Sequence, residues 1–200
     1  ADTARKDGPR DALPVIIALC EKLKAKWPMT NEAYGSMKLA SRCWTQLGEA
    51  QKAREAYVAY ADYNGELERR QELHRGRTPE QAQAAAMDIA SREILGEAQT
   101  LFSANDFVGA LSYCDVLLAR YPTHERGLTA LWLVGCCAAK NRQHDEAMRV
   151  FRRVIELNPD SRAADLARRS LPDLLANSGR HAEASQVWLE CARRAPTERE

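Results

Sequence analysis

Small and bulky apolar residues recur at helical spacing along this chain, and the pattern itself recurs. In the stretch AMRVFRRVIELNP, residues 147–159, Ala147 and Phe151 lie four apart and so share one helix face. The stretches ALSYCDVLLARYP (110–122) and ASQVWLECARRAP (184–196) superpose on it without a gap, so Ala110, Ala147 and Ala184 are spaced by 37 residues, as are Pro122, Pro159 and Pro196. The small residue lets two helices approach, the large side chain fills the space that results, and proline ends the helix. A unit that cannot bury its own apolar face must stack on its neighbours. The pattern predicts an all-α chain, its helices stacked on their neighbours as a quasi-one-dimensional solenoid of about four to five repeats.

A fourth unit lies upstream, where Leu47-Gly48 precede Ala53 and Tyr57 and Gly65 takes the place of the closing proline; Pro28, 37 residues before Gly65, closes a half-unit begun near Asp11. From Gly65 to Pro122 the separation is 57, one period plus an insertion of 20 at 66–85. The insertion begins charged (ELERRQELHRGR) and restarts as a helix at Thr78, with Pro79 as first helical residue and Gln81 completing a capping box. That helix is expected to run unbroken to about Ala104, longer than its counterparts. The expected layout is a flexible segment at 1–10, a single solenoid over 11–196 and a tail at 197–200. Within the solenoid lie a half-unit at 11–28, units at 29–65, 86–122, 123–159 and 160–196, and the charged insertion at 66–85.

Composition narrows the partners more than the fold. Lys plus Arg, 29, nearly cancels Asp plus Glu, 28, and the formal charge of +1 leaves no overall field to draw in nucleic acid or an anionic membrane. A content of 45% hydrophobic and 28% charged residues is ordinary for a soluble globular chain. No apolar run approaches the roughly 18 residues of a membrane span. The longest, Leu13 to Cys20, contains Pro14 and flows into Glu21-Lys22-Leu23-Lys24 as an amphipathic helix does, without the small-residue cleavage site of a signal peptide.

Six cysteines, Cys20, Cys43, Cys114, Cys136, Cys137 and Cys191, include no pair separated by two residues, which argues against a zinc ribbon or a CxxC redox centre. Cys114 and Cys191 fall on apolar repeat positions and read as buried thiols; adjacent Cys136 and Cys137 cannot both point inward from one helix. Free thiols favour a reducing compartment. His74, His124, His144 and His181 form no HExxH pair, and the recurrence of His144 and His181 at one repeat position is explained by packing or capping, a metal site of Cys136, Cys137 and His144 being the alternative. Without a Gly-rich phosphate loop, a GxSxG elbow or an isolated acid pair, no catalytic residue, cofactor or metal is assigned.

A small residue, an aromatic four later and a closing proline, preceded by a glycine turn, resemble the tetratricopeptide repeat (TPR) from about Asp11 to Pro196. Gly48 and Gly179 stand at that family's inter-helix turn, Ala53, Ala110, Ala147 and Ala184 at the small residue of its second helix, and Tyr57, Phe151 and Trp188 at its aromatic position. Gly135 and Ala98 fit its small first-helix position. Cys114 in place of the aromatic, Asn105 and Arg142 in place of the turn glycine, and Pro172 inside a first helix are departures. The family's common period is 34. A period of 37 with Tyr121-Pro122, LWLVG at 131–135 and Pro159-Asp160-Ser161 is similar to bacterial cell-envelope TPR proteins of the BamD and Tol-associated coordinator type, which implies the periplasm or cell envelope, with the cytoplasm as the alternative.

The resemblance implies a right-handed α-solenoid of antiparallel helix pairs, in which the first helices line a concave groove whose outward residues recruit a peptide or a partner helix. Carried over by repeat position, that groove is Lys38, Arg42 and Gln46, then Arg92, Gln99 and Phe102, then Trp132, Cys136 and Lys140, then Arg169, Asp173 and Asn177. Trp132 is the candidate aromatic anchor, packing against the adjacent repeat being the alternative. Lys38, Arg42, Arg92 and Arg169 resemble the basic positions of a carboxylate clamp, although the clamp's asparagines are missing from the first unit. The repeat-defining core is Ala53, Tyr57, Ala110, Cys114, Ala147, Phe151, Ala184 and Trp188. The expected function is a non-enzymatic protein–protein interaction scaffold that binds through the groove. The alternative is a permanent structural subunit of a larger complex, a membrane-associated one included, docking through its outer face or the 66–85 insertion. Neither nucleic acid binding nor direct membrane insertion is expected.

Overall fold

One turn geometry ends the first helix of each pair at four sites, and closes α3 at Gly76 as well. At Gly48, Asn105, Arg142 and Gly179 the backbone enters the left-handed region, with φ of 82, 62, 62 and 75°. In each case the following residue sends its N–H five residues back, Glu49 to Trp44, Asp106 to Leu101, Gln143 to Ala138 and Arg180 to Leu175, at 3.0, 2.9, 2.9 and 2.8 Å. This is a Schellman closure, which satisfies carbonyls that the helix end would otherwise leave bare. Glycine meets the geometry without a Cβ penalty at 48 and 179; Asn105 and Arg142 adopt it despite their side chains.

The starts of first helices recur as well. Thr30 Oγ1 accepts from the Ala33 N–H at 3.3 Å, His124 Nδ1 from Arg126 at 3.2 Å and Ser161 Oγ from Ala164 at 3.1 Å. These three caps occupy one repeat position, so the histidine there takes the part of a hydroxyl.

The computed structural model describes residues 10–28 and 30–194, the side chains of Asn31 and Arg194 excepted. Pro196, the expected tail and all of the expected N-terminal segment except Arg10 lie outside the described residues. After a 3-10 turn at Arg10–Ala12 come α1 (Leu13–Lys26), α2 (Asn31–Leu47), α3 (Ala50–His74), α4 (Pro79–Ser103) and α5 (Phe107–Arg120). They are followed by α6 (Glu125–Lys140), α7 (His144–Leu157), α8 (Arg162–Asn177) and α9 (His181–Arg194). No strand occurs among the described residues, and the fold is all-α. The chain forms two compact units, Ala1–Ile94 and Leu95–Glu200, with the boundary inside α4.

In the second unit α6 packs on α7, α7 on α8 and α8 on α9, and the two first helices α6 and α8 also touch. Its core joins Leu128 of α6, Ala147, Met148, Phe151 and Val154 of α7, Ala163, Ala167, Leu171 and Leu175 of α8, and Ala184 of α9. Ala147 and Phe151 are 0% and 1% exposed, so the stripe that defines the repeat is the stripe that is buried. Removing a side chain of the size of Phe151 from water contributes about 1.5–3 kcal/mol. In the first unit α2 packs between α1 and α3. Leu13, Ile17 and Cys43 are buried there, with Ile16, Trp44 and Leu47 against them.

Three sequence expectations are corrected. Gly65 does not close a helix. α3 runs through it to His74, because no proline stops it and the insertion supplies Glu66–Arg69 and Glu66–Arg70 pairs three and four residues apart, at 2.6 and 3.0 Å. Gly65 is instead a point of close approach, where an added Cβ would come 2.7 Å from the Ala86 carbonyl oxygen of α4. Trp188, expected in the core, is 50% exposed, because no helix follows α9 among the described residues to cover that face, whereas Phe151 at the same repeat position is enclosed by α6 and α8. Cys191 is half-buried for the same reason. α8 continues through Pro172, which is itself buried.

Candidate partner-binding surfaces

The outward face of α2 is a stripe with an apolar residue at its centre. Gly35, Leu39, Arg42 and Gln46 follow at intervals of four, three and four, which aligns them along one side of the helix, and all four are exposed. Leu39 is 45% exposed. Met37, Ala40 and Trp44 form a second stripe on the opposite side of the same helix and turn towards α1 and α3.

Lys38, expected beside Arg42, is engaged elsewhere. Its ammonium stands 5.0 Å from the ring centre of Tyr60 and 5.9 Å from that of Tyr57, a cation over two aromatic faces. These rings belong to a tyrosine cluster in which the Tyr34 and Tyr60 hydroxyls are 2.6 Å apart and the Tyr63 hydroxyl donates to the Thr30 carbonyl at 3.1 Å. Burial raises the Tyr60 phenol above its ordinary range, and the hydrogen bond to Tyr34 and the negative Glu93 act in the same direction. A neutral cluster holding Lys38 leaves Arg42 as the outward cation of α2, while Arg92 is exposed on α4.

In the second unit Trp132 is half-buried. Its ring packs against the core, and its indole N–H donates to Ser170 Oγ of α8 at 3.2 Å, linking the two first helices. The side chain thus packs against the adjacent repeat and is held in one orientation by Ser170. Phe102 is half-buried against Phe107, ring centres 5.6 Å apart. Gln99, Lys140, Arg169, Asp173 and Asn177 are exposed. Cys136 is half-buried beside buried Cys137, and burial pushes its thiol up to about 12, with Cys137 adding to the effect. Cys114, wholly buried on α5, is pushed up to about 12 as well. All six cysteines are free. Among the described residues no three His, Cys, Asp or Glu side chains converge as metal ligands, and His144 Nδ1 is buried without a hydrogen-bond partner.

The insertion forms the distal turns of α3, the turn after His74 and the first turns of α4. Thr78 and Gln81 make the reciprocal capping box, at 3.1 and 3.3 Å. Its charges neutralise one another: Glu66 holds Arg69 and Arg70, and Glu72 holds Arg75 and Arg77. The two arginines keep the Glu66 carboxyl down at about 2, against a smaller opposing effect of burial.

One structural feature was not foreseen from the sequence. A cleft of about 460 Å³ opens between α1 and α3 over the floor formed by α2, lined by Cys20, Met37, Ala40 and Trp44 with Ala56 and Ala59, and rimmed by charged residues. Its sequence signal is three scattered small residues, Cys20, Ala40 and Ala56, where the last repeats carry Phe151, Leu171 and Val187.

Residues 129–161, from within α6 to the Ser161 cap of α8, match the family model of the tetratricopeptide repeat. The chain is similar to a putative kinesin light chain with nearly identical TPR-like repeats from Podosopora anserina, at 14% identity and a TM-score of 0.49, over 96% of this chain and 89% of that one. A singly substituted form of the same repeats gives 13% identity and 0.50 over 96% and 89%. MamA gives 12% identity and 0.49 over 96% and 94%. No curated protein matches this chain. The match over residues 129–161 is to one repeat of that family, and the likeness to the substituted repeats shows a TPR-like helical-repeat fold.

Proposed function

We infer that the chain is a non-enzymatic interaction scaffold that recruits a protein partner through the outward faces of its first helices. The observation that carries this reading is the α2 stripe, where Leu39, 45% exposed, lies among exposed Arg42 and Gln46. An apolar centre with a polar surround is the arrangement in which a few residues supply most of the binding energy. Trp132, fixed by Ser170, with exposed Lys140 and Arg169, is the corresponding patch of the second unit. Lys38 is committed to its tyrosines, which counts against a carboxylate clamp in the first unit.

A test is affinity capture from the native source with the wild-type chain and with Leu39→Ala/Arg42→Ala as baits. Both substituted side chains are exposed, so the variant should melt like the parent. A partner retained by the wild type and lost by the variant is the expected result; equal retention removes the α2 face from the reading.

Exposed apolar residues support a second reading, the permanent subunit. Val15 and Leu19, one turn apart on α1, and adjacent Trp188 and Leu189 on α9 are all at least half exposed, and on this reading each pair belongs to a contiguous surface that another chain covers. The 37-residue period supports the likeness to bacterial cell-envelope TPR proteins, and the free thiols count against an oxidising compartment.

A further inference from the structure

We propose that the cleft between α1 and α3 takes a single uncharged aromatic or branched aliphatic side chain from a protein partner. The repeat supplies the reason. α1, α2 and α3 correspond to α7, α8 and α9 at an offset of 131 residues, three periods and the insertion, as the caps Thr30 and Ser161 show. At that offset Cys20, Ala40 and Ala56 of the cleft correspond to Phe151, Leu171 and Val187. Phe151 and Leu171 are buried and Val187 packs against the same core, so at these three positions bulky side chains occupy space that small ones leave open in the first corner, and the larger Trp44 in place of Leu175 takes back only part of it. The missing volume is about that of a ring or a branched aliphatic group.

Chemistry separates the two corners further. The second also carries a cleft, of about 490 Å³, but Glu156, Arg168, Glu190 and Arg193 line it. Arg168 stands where the first corner has Met37, and it is bound to Asp165 at 2.8 Å and to the Pro159 carbonyl at 2.6 Å. The first cleft keeps an apolar floor of Cys20, Met37, Ala40 and Trp44, and only its mouth is charged. Glu21 and Lys24 stand on α1, Lys52 and Glu55 on α3, and all four are exposed. Lys52 is drawn to the Trp44 ring, 4.7 Å away, and to Glu49 at 3.4 Å. Two acids and two bases select no net charge in the occupant. A free small molecule is held by enclosure of most of its surface, whereas this site is open at a polar mouth that suits the backbone from which a side chain projects.

This proposal rests on the scaffold reading but uses the face of α2 opposite Leu39 and Arg42. Met37, on the cleft floor, provides the readout. Protein labelled with ¹³C at the methionine methyls is titrated with N-acetyl-tryptophanamide, a side chain on a minimal backbone, and separately with indole, with Met148 as internal control. The expected result is a saturable shift of Met37 alone with N-acetyl-tryptophanamide, weakened at least tenfold by Ala59→Leu and by Ala56→Val, each of which narrows the cleft. Circular dichroism and melting confirm that both variants fold. A shift that does not saturate, that Met148 shares or that survives both fillings overturns the proposal. Saturation by indole without N-acetyl-tryptophanamide overturns it too, making the cleft a small-molecule site. Loss of capture by the Leu39/Arg42 variant leaves the Met37 shift unchanged, so the two readings fail separately.

Discussion

The ring of Phe151 on α7 lies against the bare backbone of Gly135 on α6, so close that a Cβ at Gly135 would come 2.5 Å from the ring carbon Cε1 and 2.8 Å from Cδ1. Both residues are buried, and neither can move without disturbing the core they share. Gly135→Ala is therefore expected to destabilise the chain by about 1–3 kcal/mol, the range for overpacking. Phe151→Leu in the same background should restore part of the loss, a non-additivity that urea unfolding of the single and double variants measures.

Arg142 holds the left-handed turn conformation, φ 62°, that Gly48 and Gly179 adopt at the same repeat position. Arg142→Gly relieves about 1–2 kcal/mol of steric cost, offset in part by the greater freedom of glycine in the unfolded chain. The expected net gain is about 0.5–1 kcal/mol, with less at Asn105→Gly, since asparagine tolerates this region. Thermal melting of the two variants checks both the sign and the order.

Burial, with neighbouring Cys137 adding to it, pushes the thiols of Cys114 and Cys136 up to about 12. In the unfolded chain the same thiols ionise near 9.0. Between these values the folded chain keeps protons that the unfolded chain has released, so stability is full below the unfolded value and falls as the pH rises towards the folded one. The urea midpoint should therefore be lower at about pH 10.5 than at about pH 8. Cys114→Ala/Cys136→Ala should flatten that difference. Since the thiolate is the reactive form, Cys114 should stay unalkylated by iodoacetamide at about pH 8 until the chain is unfolded.

Trp132→Phe keeps a ring on α6 but removes the donor to Ser170. A loss of about 1 kcal/mol is expected. Ser170→Ala should cost less, because the half-buried indole N–H can turn to water. Equal and negligible effects would mean that the link between α6 and α8 contributes nothing.

How far the candidate surfaces were legible can be judged residue by residue. Repeat position alone placed Arg42, Gln46, Lys140 and Arg169 where they prove exposed, because a 3.6-residue helix carries its sides along the sequence. It could not place the ammonium of Lys38, which depends on tyrosines of α3 about twenty residues away. Nor does it reveal the exposure of Leu39, since a leucine on a helix is core or surface only by what packs against it.

The amino-acid order alone determined the helical class, the 37-residue period, the Ala147 and Phe151 stripe and the turns at 48, 105, 142 and 179, since each depends on contacts or backbone preferences within a few residues. Tertiary structure decided the rest. Whether Trp188 is covered, whether α3 stops at Gly65, which way Trp132 is held and whether Cys20 and Ala56 leave a cleft are questions about neighbours distant in the sequence. A local pattern states what a face is made of; only packing states what lies against it.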